Sequence, residues 1–494
     1  MNKFGLVVGL LVLMIVSVVV GIFLVFNPQL SPLTGGFTGN QYINTPPAAD
    51  FTLTTIDGEP FKLSDYRGKV IALSFIYSHC PDICPAITSG FAELGDILRE
   101  QGLLEDVVLV LVAVDYPGGY VATASKNRVY YINYSGYIEW ETDVNTTLSG
   151  VEMSQDGGVI VAWGGNTVYF IDRFGKIAAK YTYSLDISDV FVSGAGSFVA
   201  VSVVDRLYLY NTIFVENGLQ IEPSWSKQLA GDILAVSGLT NASYLFAVDD
   251  SGYIYRITKA GDIEESKKIG EDGVLMADVS SNGLTATLIY NDKVVQVNVV
   301  DDLQNLIEID PSKIVDVDVS QDGVYVAYAL KDSVEIYKSD GRLAHILTVE
   351  AESVSISADN QYVSIASGEE VTRYNLDNNG VDWMTRVGEV VIDVDVAMER
   401  DSPNRLRKWG EIYGADEVVF LYGMYRNLYQ VWAKYGIAVV NIDVDDPSTS
   451  YLIAHTGILF LIDKDFNVRI FFIGAPPQWS PEDAANDISI LVRE

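Results

Sequence analysis

The hydrophobic pattern along this chain of 494 residues changes character four times. Phe4 to Phe26 is an unbroken apolar run without a charge. As a helix it would reach about 34 Å, enough to cross the hydrocarbon core of a bilayer. A cleaved signal sequence would have an apolar stretch of only about 7–15 residues, with small residues at the cut. Phe26-Asn27-Pro28-Gln29 is a poor cleavage site, so the run predicts an uncleaved anchor over residues 1–27. Lys3 precedes it and the next charge is Asp50, which predicts a cytoplasmic N-terminus with the rest of the chain outside. Residues 28–47 are rich in Pro, Gly, Thr and Asn, show no periodicity and read as a tether.

A compact α/β pattern then occupies 48–115. Phe51 to Ile56, the Asp57-Gly58 turn and Phe61 to Leu63 read as a hairpin. Val70 to Ile76 and Val107 to Val114 are continuous apolar runs, as buried central strands require. Between them Ile87, Phe91, Leu94, Ile97 and Leu98 recur at helical spacing, completing a βαβ unit.

From 116 to 397 helical periodicity is missing. Short alternating strands repeat instead, most clearly at Val151 to Ala162, Val317 to Ala327 and Val354 to Ser364. A spacing of roughly 40 residues is that of a four-stranded propeller blade and gives about seven blades. Tyr120 to Ala124 would open an incomplete first blade, which Val390 to Ala397 would complete and so close the ring. An open β-solenoid is the alternative. Over 398–494 the α/β pattern returns, with helices expected after Pro403, over Tyr425 to Tyr435 and from Pro481, and a hairpin over Ile458 to Ile473. The first block has too few strands to close a sheet, and the last supplies them. The predicted architecture is therefore one discontinuous α/β domain with an inserted propeller, whose two ends meet in one blade.

The composition, 49% hydrophobic and 20% charged, is that of a folded protein. A formal charge of −34 argues against nucleic acid and anionic lipid as partners and reads as a solvated acidic surface. Asn-x-Ser/Thr sequons begin at Asn133, Asn145 and Asn241, which chance alone would supply.

Cys80 and Cys84 are the only cysteines, in Tyr77-Ser78-His79-Cys80-Pro81-Asp82-Ile83-Cys84-Pro85. They form either a redox dithiol or part of a soft-metal site. One cysteine at the start of a helix and one a turn later would share a face, where the helix N-terminus favours thiolate. Two thiolates suit Cu(I), and an added imidazole makes Cu(II) acceptable. The chain has three histidines: His79, which would point away from the pair, His345 inside a repeat, and His455 just before the late hairpin.

Several stretches outside the propeller carry a family resemblance. They are Asp50-Phe-Thr-Leu with Asp57-Gly58, Leu63-Ser-Asp-Tyr-Arg-Gly-Lys-Val70, Phe75 through Pro85, Glu399-Arg-Asp-Ser-Pro403, and His455 ahead of Leu461-Ile-Asp-x-Asp465. Together they resemble the Sco/SenC family, membrane-anchored thioredoxin-like copper chaperones of cytochrome oxidase assembly. The three-residue gap between the cysteines sets them apart from generic thioredoxin-like oxidoreductases, which have two. There are departures: Ala454 and Thr456 flank His455 where the family has Asp and Ser, and Ala397-Met398 stands where it has Asp-Pro. Val112-Ala-Val-Asp115 fits the family strand ending in that Asp, which puts the insertion directly after Asp115.

The resemblance implies that Cys80, Cys84 and His455 bind copper, Cu(I) or Cu(II), and that Asp82 tunes the loop or meets the acceptor. It implies delivery to the copper-bearing subunit of a terminal oxidase, with the propeller docking the acceptor or other assembly factors. The alternatives are a thiol–disulfide oxidoreductase in which Cys80 and Cys84 cycle, and a propeller-based receptor or sensor. Loss of the carboxylate before His455 removes one partner for the imidazole.

Overall fold

The computed structural model describes residues 36–494 apart from 116, 216–217, 399 and 444–450. The expected anchor over 1–27 lies outside the described residues, among which no helix is long and apolar enough to cross a membrane. The chain forms two compact units. One comprises residues up to Tyr116 with Asp401–Val439 and His455–Glu494; the other comprises Pro117–Arg400 with Val440–Ala454.

The first unit is built on an eight-stranded sheet. Its strands are β1 (Asn40–Gln41), β2 (Thr52–Thr55), β3 (Pro60–Lys62), β4 (Val70–Ile76), β5 (Val107–Ala113), β6 (Val418–Tyr422), β7 (Ile458–Ile462) and β8 (Val468–Ile473). They lie in the order β1-β8-β7-β4-β5-β6-β2-β3. β4, β5 and β6 run parallel, and β7 joins β4 antiparallel. The parallel strands come from both sequence blocks, so the sheet is complete only when the chain returns from the propeller. Every residue of β4 and β5 is buried, which explains their unbroken apolar sequence. The helices are α1 (Ile83–Glu100), α2 (Pro403–Tyr413), α3 (Tyr425–Tyr435) and α4 (Pro481–Arg493). α1 buries Ile87, Phe91, Leu94 and Leu98 and packs against both α2 and α4.

One stretch differs from the sequence reading. Residues 36–47, assigned to the tether, include β1, which pairs with β8, while Asp487 of α4 accepts the main-chain N–H groups of Thr38 and Gly39 at 2.8 Å each. No apolar periodicity marks this segment. Its signal is steric, since a Cβ on Gly39 would lie 2.5 Å from Ile470 Cγ2.

The second unit contains seven four-stranded sheets. Val391–Val396 pairs with Val121–Ser125 and completes the first blade, closing the ring as the sequence predicts. The channel-lining strands of the later blades are Gly150–Met153, Ile187–Val192, Ile233–Gly238, Met276–Val279, Ile314–Val319 and Ser353–Ile356. Each is an edge strand whose outward N–H groups need partners. Carboxylates from the preceding blade supply many of them. Asp393 and Asp395 accept from Val151 and Met153, Asp189 from Val236, and Asp316 and Asp318 from Val354 and Ile356, at 2.6–2.9 Å. Period-two alternation puts both acids of Val-Asp-Val-Asp-Val on this one face.

The turns after four of the channel-lining strands share a clasp. Ser154 Oγ donates to Asp156, Ser280 to Asn282, Ser320 to Asp322 and Ser357 to Asp359, at 2.6–2.9 Å. Residues 440–443 and 451–454, expected within the α/β block, pack as part of this unit.

Candidate metal centre

β4 ends at Ile76, and the chain then runs through Tyr77-Ser78-His79-Cys80 to α1 at Ile83. Cys84 sits in the first helical turn, but Cys80 precedes the helix, which differs from the expectation that the first cysteine begins it. The cause is Asp82, whose φ of −128° and ψ of −89° keep it out of the helix. The Asp82 side chain is exposed and makes no cap hydrogen bond. Cys80 sulfur fills that role: Cys84 N donates to it at 3.3 Å, and the amides of Asp82 and Ile83 also point to it.

The two thiols are therefore unequal. The Cys84 side chain hydrogen-bonds to Cys80, and together with the helix-start amides this holds Cys80 down at about 6 against the cost of burial. Burial, followed by the adjacent Cys80 and more weakly Asp401, pushes the Cys84 thiol up. Cys80 is thus the more acidic of the two, and Cys84 the one that holds its proton.

His455 ends the strand Tyr451–His455. Its Nε2 lies 3.2 Å from Cys84 Sγ, although 371 positions separate them in the chain. Nδ1 is 3.4 Å from the main-chain oxygen of Thr456. The tautomer that donates there leaves the Nε2 lone pair facing the Cys84 thiol. Burial lowers the His455 pKa to about 4, so the ring is neutral and able to act as a ligand. The Tyr77 ring stands edge-on to it at 5.9 Å. The backbone carbonyl of Thr456 thus offers the imidazole a partner where Ala454 has no carboxylate. Thr456 is itself held, exchanging main-chain and side-chain hydrogen bonds of 3.2 Å with Ala438.

Two ligands bound at about 2.0 and 2.3 Å to one tetrahedral ion stand about 3.5 Å apart. The Cys84–His455 separation fits this with a small adjustment, and soft sulfur with imidazole is a donor set for copper. Cys80, Cys84 and His455 form a chain through Cys84. Among the described residues, no group of three or more His, Cys, Asp or Glu donors stands in a metal-holding arrangement.

The other histidines lie elsewhere. His79 Nδ1 is 3.5 Å from Ser78 Oγ, and His345 Nδ1 is 2.7 Å from Asn379 Oδ1 in the propeller. One residue of the site has no role in the sequence reading. Asp401, fully buried, accepts from Ser78 N at 2.7 Å and from Ser78 Oγ at 2.5 Å, fixing the loop that carries the cysteines. Its sequence signal was an acid just before Ser402-Pro403, where Ser402 caps α2. Trp409 of α2 completes the support by donating to Thr88 of α1 at 2.9 Å.

The SCO1/SenC family profile matches residues 41–117 and 381–493. The second match begins inside the outer strand of the last blade, Gly380–Arg386. Protein SCO2, mitochondrial, of Saccharomyces cerevisiae is 44% identical over 50 residues, 9% of this chain and 17% of that protein. Protein SCO1 homolog, mitochondrial, of Mus musculus is 51% identical over 35 residues, 7% of this chain and 12% of that protein. The chain thus spans under a fifth of the length of these two curated relatives. Among solved structures, a protein of unknown function from Desulfotomaculum acetoxidans aligns with a TM-score of 0.44 and 11% identity, covering 57% of this chain and 99% of that one.

Proposed function

We propose that this chain, whose segments on either side of a seven-bladed propeller match the SCO1/SenC family, is an extracytoplasmic copper metallochaperone. In this reading residues 1–27 hold it at the membrane, and it hands copper to the dinuclear copper site of a terminal oxidase during assembly. Copper is its cargo, taken by Cys80, Cys84 and His455. The propeller is a platform for the acceptor or for other assembly factors, and the exposed Asp82 beside the cysteines is placed to meet the acceptor.

The observation that carries this reading is the 3.2 Å approach of His455 Nε2 to Cys84 Sγ. A dithiol reductant does not need a neutral imidazole against its buried thiol, whereas a copper site does. Loading removes the Cys84 proton, so uptake releases a proton and tightens as pH rises. The test is a competition titration of the full chain with Cu(I) and Cu(II), beside His455→Ala and Cys84→Ser. Wild type is expected to bind one copper, with Cu(II) at least about 100-fold weaker in both variants and Cu(I) weaker in Cys84→Ser. Equal binding by all three proteins would reject the proposal.

The unequal thiols favour a second role. The Cys80 thiolate would attack an acceptor disulfide, forming a mixed disulfide and releasing one acceptor thiolate. Cys84 would then displace the other, leaving a Cys80–Cys84 disulfide and a reduced acceptor. This activity would survive His455→Ala, which separates the two roles.

A further inference from the structure

Four of the seven blades share one turn clasp, and at one of the blades that lack it the chain that leads to His455 supplies the acid. In four blades a Ser is followed two positions later by Asp or Asn, whose side chain accepts from the Ser hydroxyl. The third blade reads Ser193-Gly194-Ala195-Gly196, with no carboxylate at that position. A carboxylate is nevertheless there. Asp443, which packs as part of the propeller unit, accepts from Ala195 N and from Ser193 Oγ, the latter at 3.4 Å. Two residues earlier, Asn441 Nδ2 donates at 2.8 Å to Oδ2 of Asp156, the turn acid of the neighbouring second blade. Asp156 is buried and also pairs with Arg173 at 3.2 Å. The strand Val439–Asp443 pairs in turn with Tyr451–His455 in a two-stranded sheet. On that return strand Tyr451 is fully buried, its carbonyl accepting from Arg400 at 3.1 Å and its ring lying 4.1 Å from the Arg400 guanidinium.

We propose that Asn441 and Asp443 are positioning residues that clamp the strand Val439–Asp443 to the second and third blades and thereby fix its partner strand Tyr451–His455. At the third blade this segment supplies the turn acid that the blade itself lacks. Asn441 and Asp443 thus hold the strand that presents the imidazole, while the cysteines are held by α1 and Asp401. The copper-binding role of His455 comes from the reading above; the clamp itself is independent of metal.

The test uses the full chain as wild type, Asp443→Ala, Asn441→Ala, His455→Ala and the double variant Ala195→Asp with Asp443→Ala. The double variant restores a carboxylate to the third blade but not to the segment. Hydrogen exchange without metal should be at least about 10-fold faster across residues 451–457 in Asp443→Ala, with the channel-lining strands unchanged. The electron paramagnetic resonance spectrum with Cu(II) should shift toward that of His455→Ala, while Cu(I) binding by the cysteines is kept. Ala195→Asp should recover thermal stability but neither the exchange nor the spectrum. Wild-type exchange over 451–457 in Asp443→Ala would overturn the clamp, as would recovery of exchange by Ala195→Asp. Faster exchange in a protein that binds no copper would leave the clamp standing and remove the copper assignment.

Discussion

The cysteine–histidine site and the propeller channel both bury titratable groups, and they do opposite things with them. In the channel, a cavity of about 370 Å³ is lined by Glu152, Asp189, Asp278, Asp316, Asp318, Asp393 and Asp395. Burial raises all of these acids: Asp395 to about 6, Asp189 to about 7 and Asp318 and Asp393 to about 8. Yet most accept a main-chain N–H of the next blade, so their role is to close the ring. At the other site Cys84 Sγ and His455 Nε2 face each other at 3.2 Å, and the far side of the imidazole meets the Thr456 carbonyl. Perturbed acidity by itself points to neither structure nor chemistry. What a buried group is bonded to decides between them.

Four substitutions or titrations would break or sharpen that contrast. The largest effect is expected at the thiol: Cys84→Ser should weaken copper binding at least about 100-fold in a chelator competition while leaving the melting of the propeller unchanged. Next is Asp401→Ala, which strands the buried donors of Ser78 and should cost about 2–3 kcal/mol in denaturant unfolding of the α/β unit. A loss within 0.5 kcal/mol would mean that Asp401 does not hold the cysteine loop.

The channel acids give a smaller, pH-dependent effect. A carboxyl whose native pKa lies above its unfolded value favours the native state below that unfolded value, about 4, and the gain is lost as pH rises through the native pKa. The calorimetric transition of the propeller should therefore fall by several °C between pH 5 and 8, on the order of 1–3 kcal/mol. Asp393→Asn with Asp395→Asn should flatten that slope; an unchanged slope would place the titration elsewhere. Smallest is Asp82→Ala. With no cap hydrogen bond to lose, it should change copper affinity by less than about threefold and slow only the transfer to an acceptor.

Much of this architecture was legible in the chain. The Ser-Gln-Asp-Gly turns marked the blades, the lone strand at Val391–Val396 marked the closure, and continuous apolar runs marked β4 and β5. Periodicity reports which face of an element is buried, so it found the elements and not their partners. It could not show that inner-strand aspartates reach into the next blade, because that contact joins residues about 40 positions apart through side chains. It missed β1, which is too short to have a period. It also placed Cys80 on the helix, since nothing in Cys-Pro-Asp-Ile-Cys announces the backbone of Asp82. Asp443 carried a signal of another kind, the missing acid at Ala195, readable only once the repeat is aligned blade by blade.

The central claim is that one copper ion is held jointly by Cys80, Cys84 and His455. X-ray absorption at the copper edge of the loaded full chain tests it most directly. The account predicts a shell with both sulfur and imidazole nitrogen in wild type, and loss of the imidazole contribution in His455→Ala with the sulfurs retained. Identical spectra for the two proteins would contradict it.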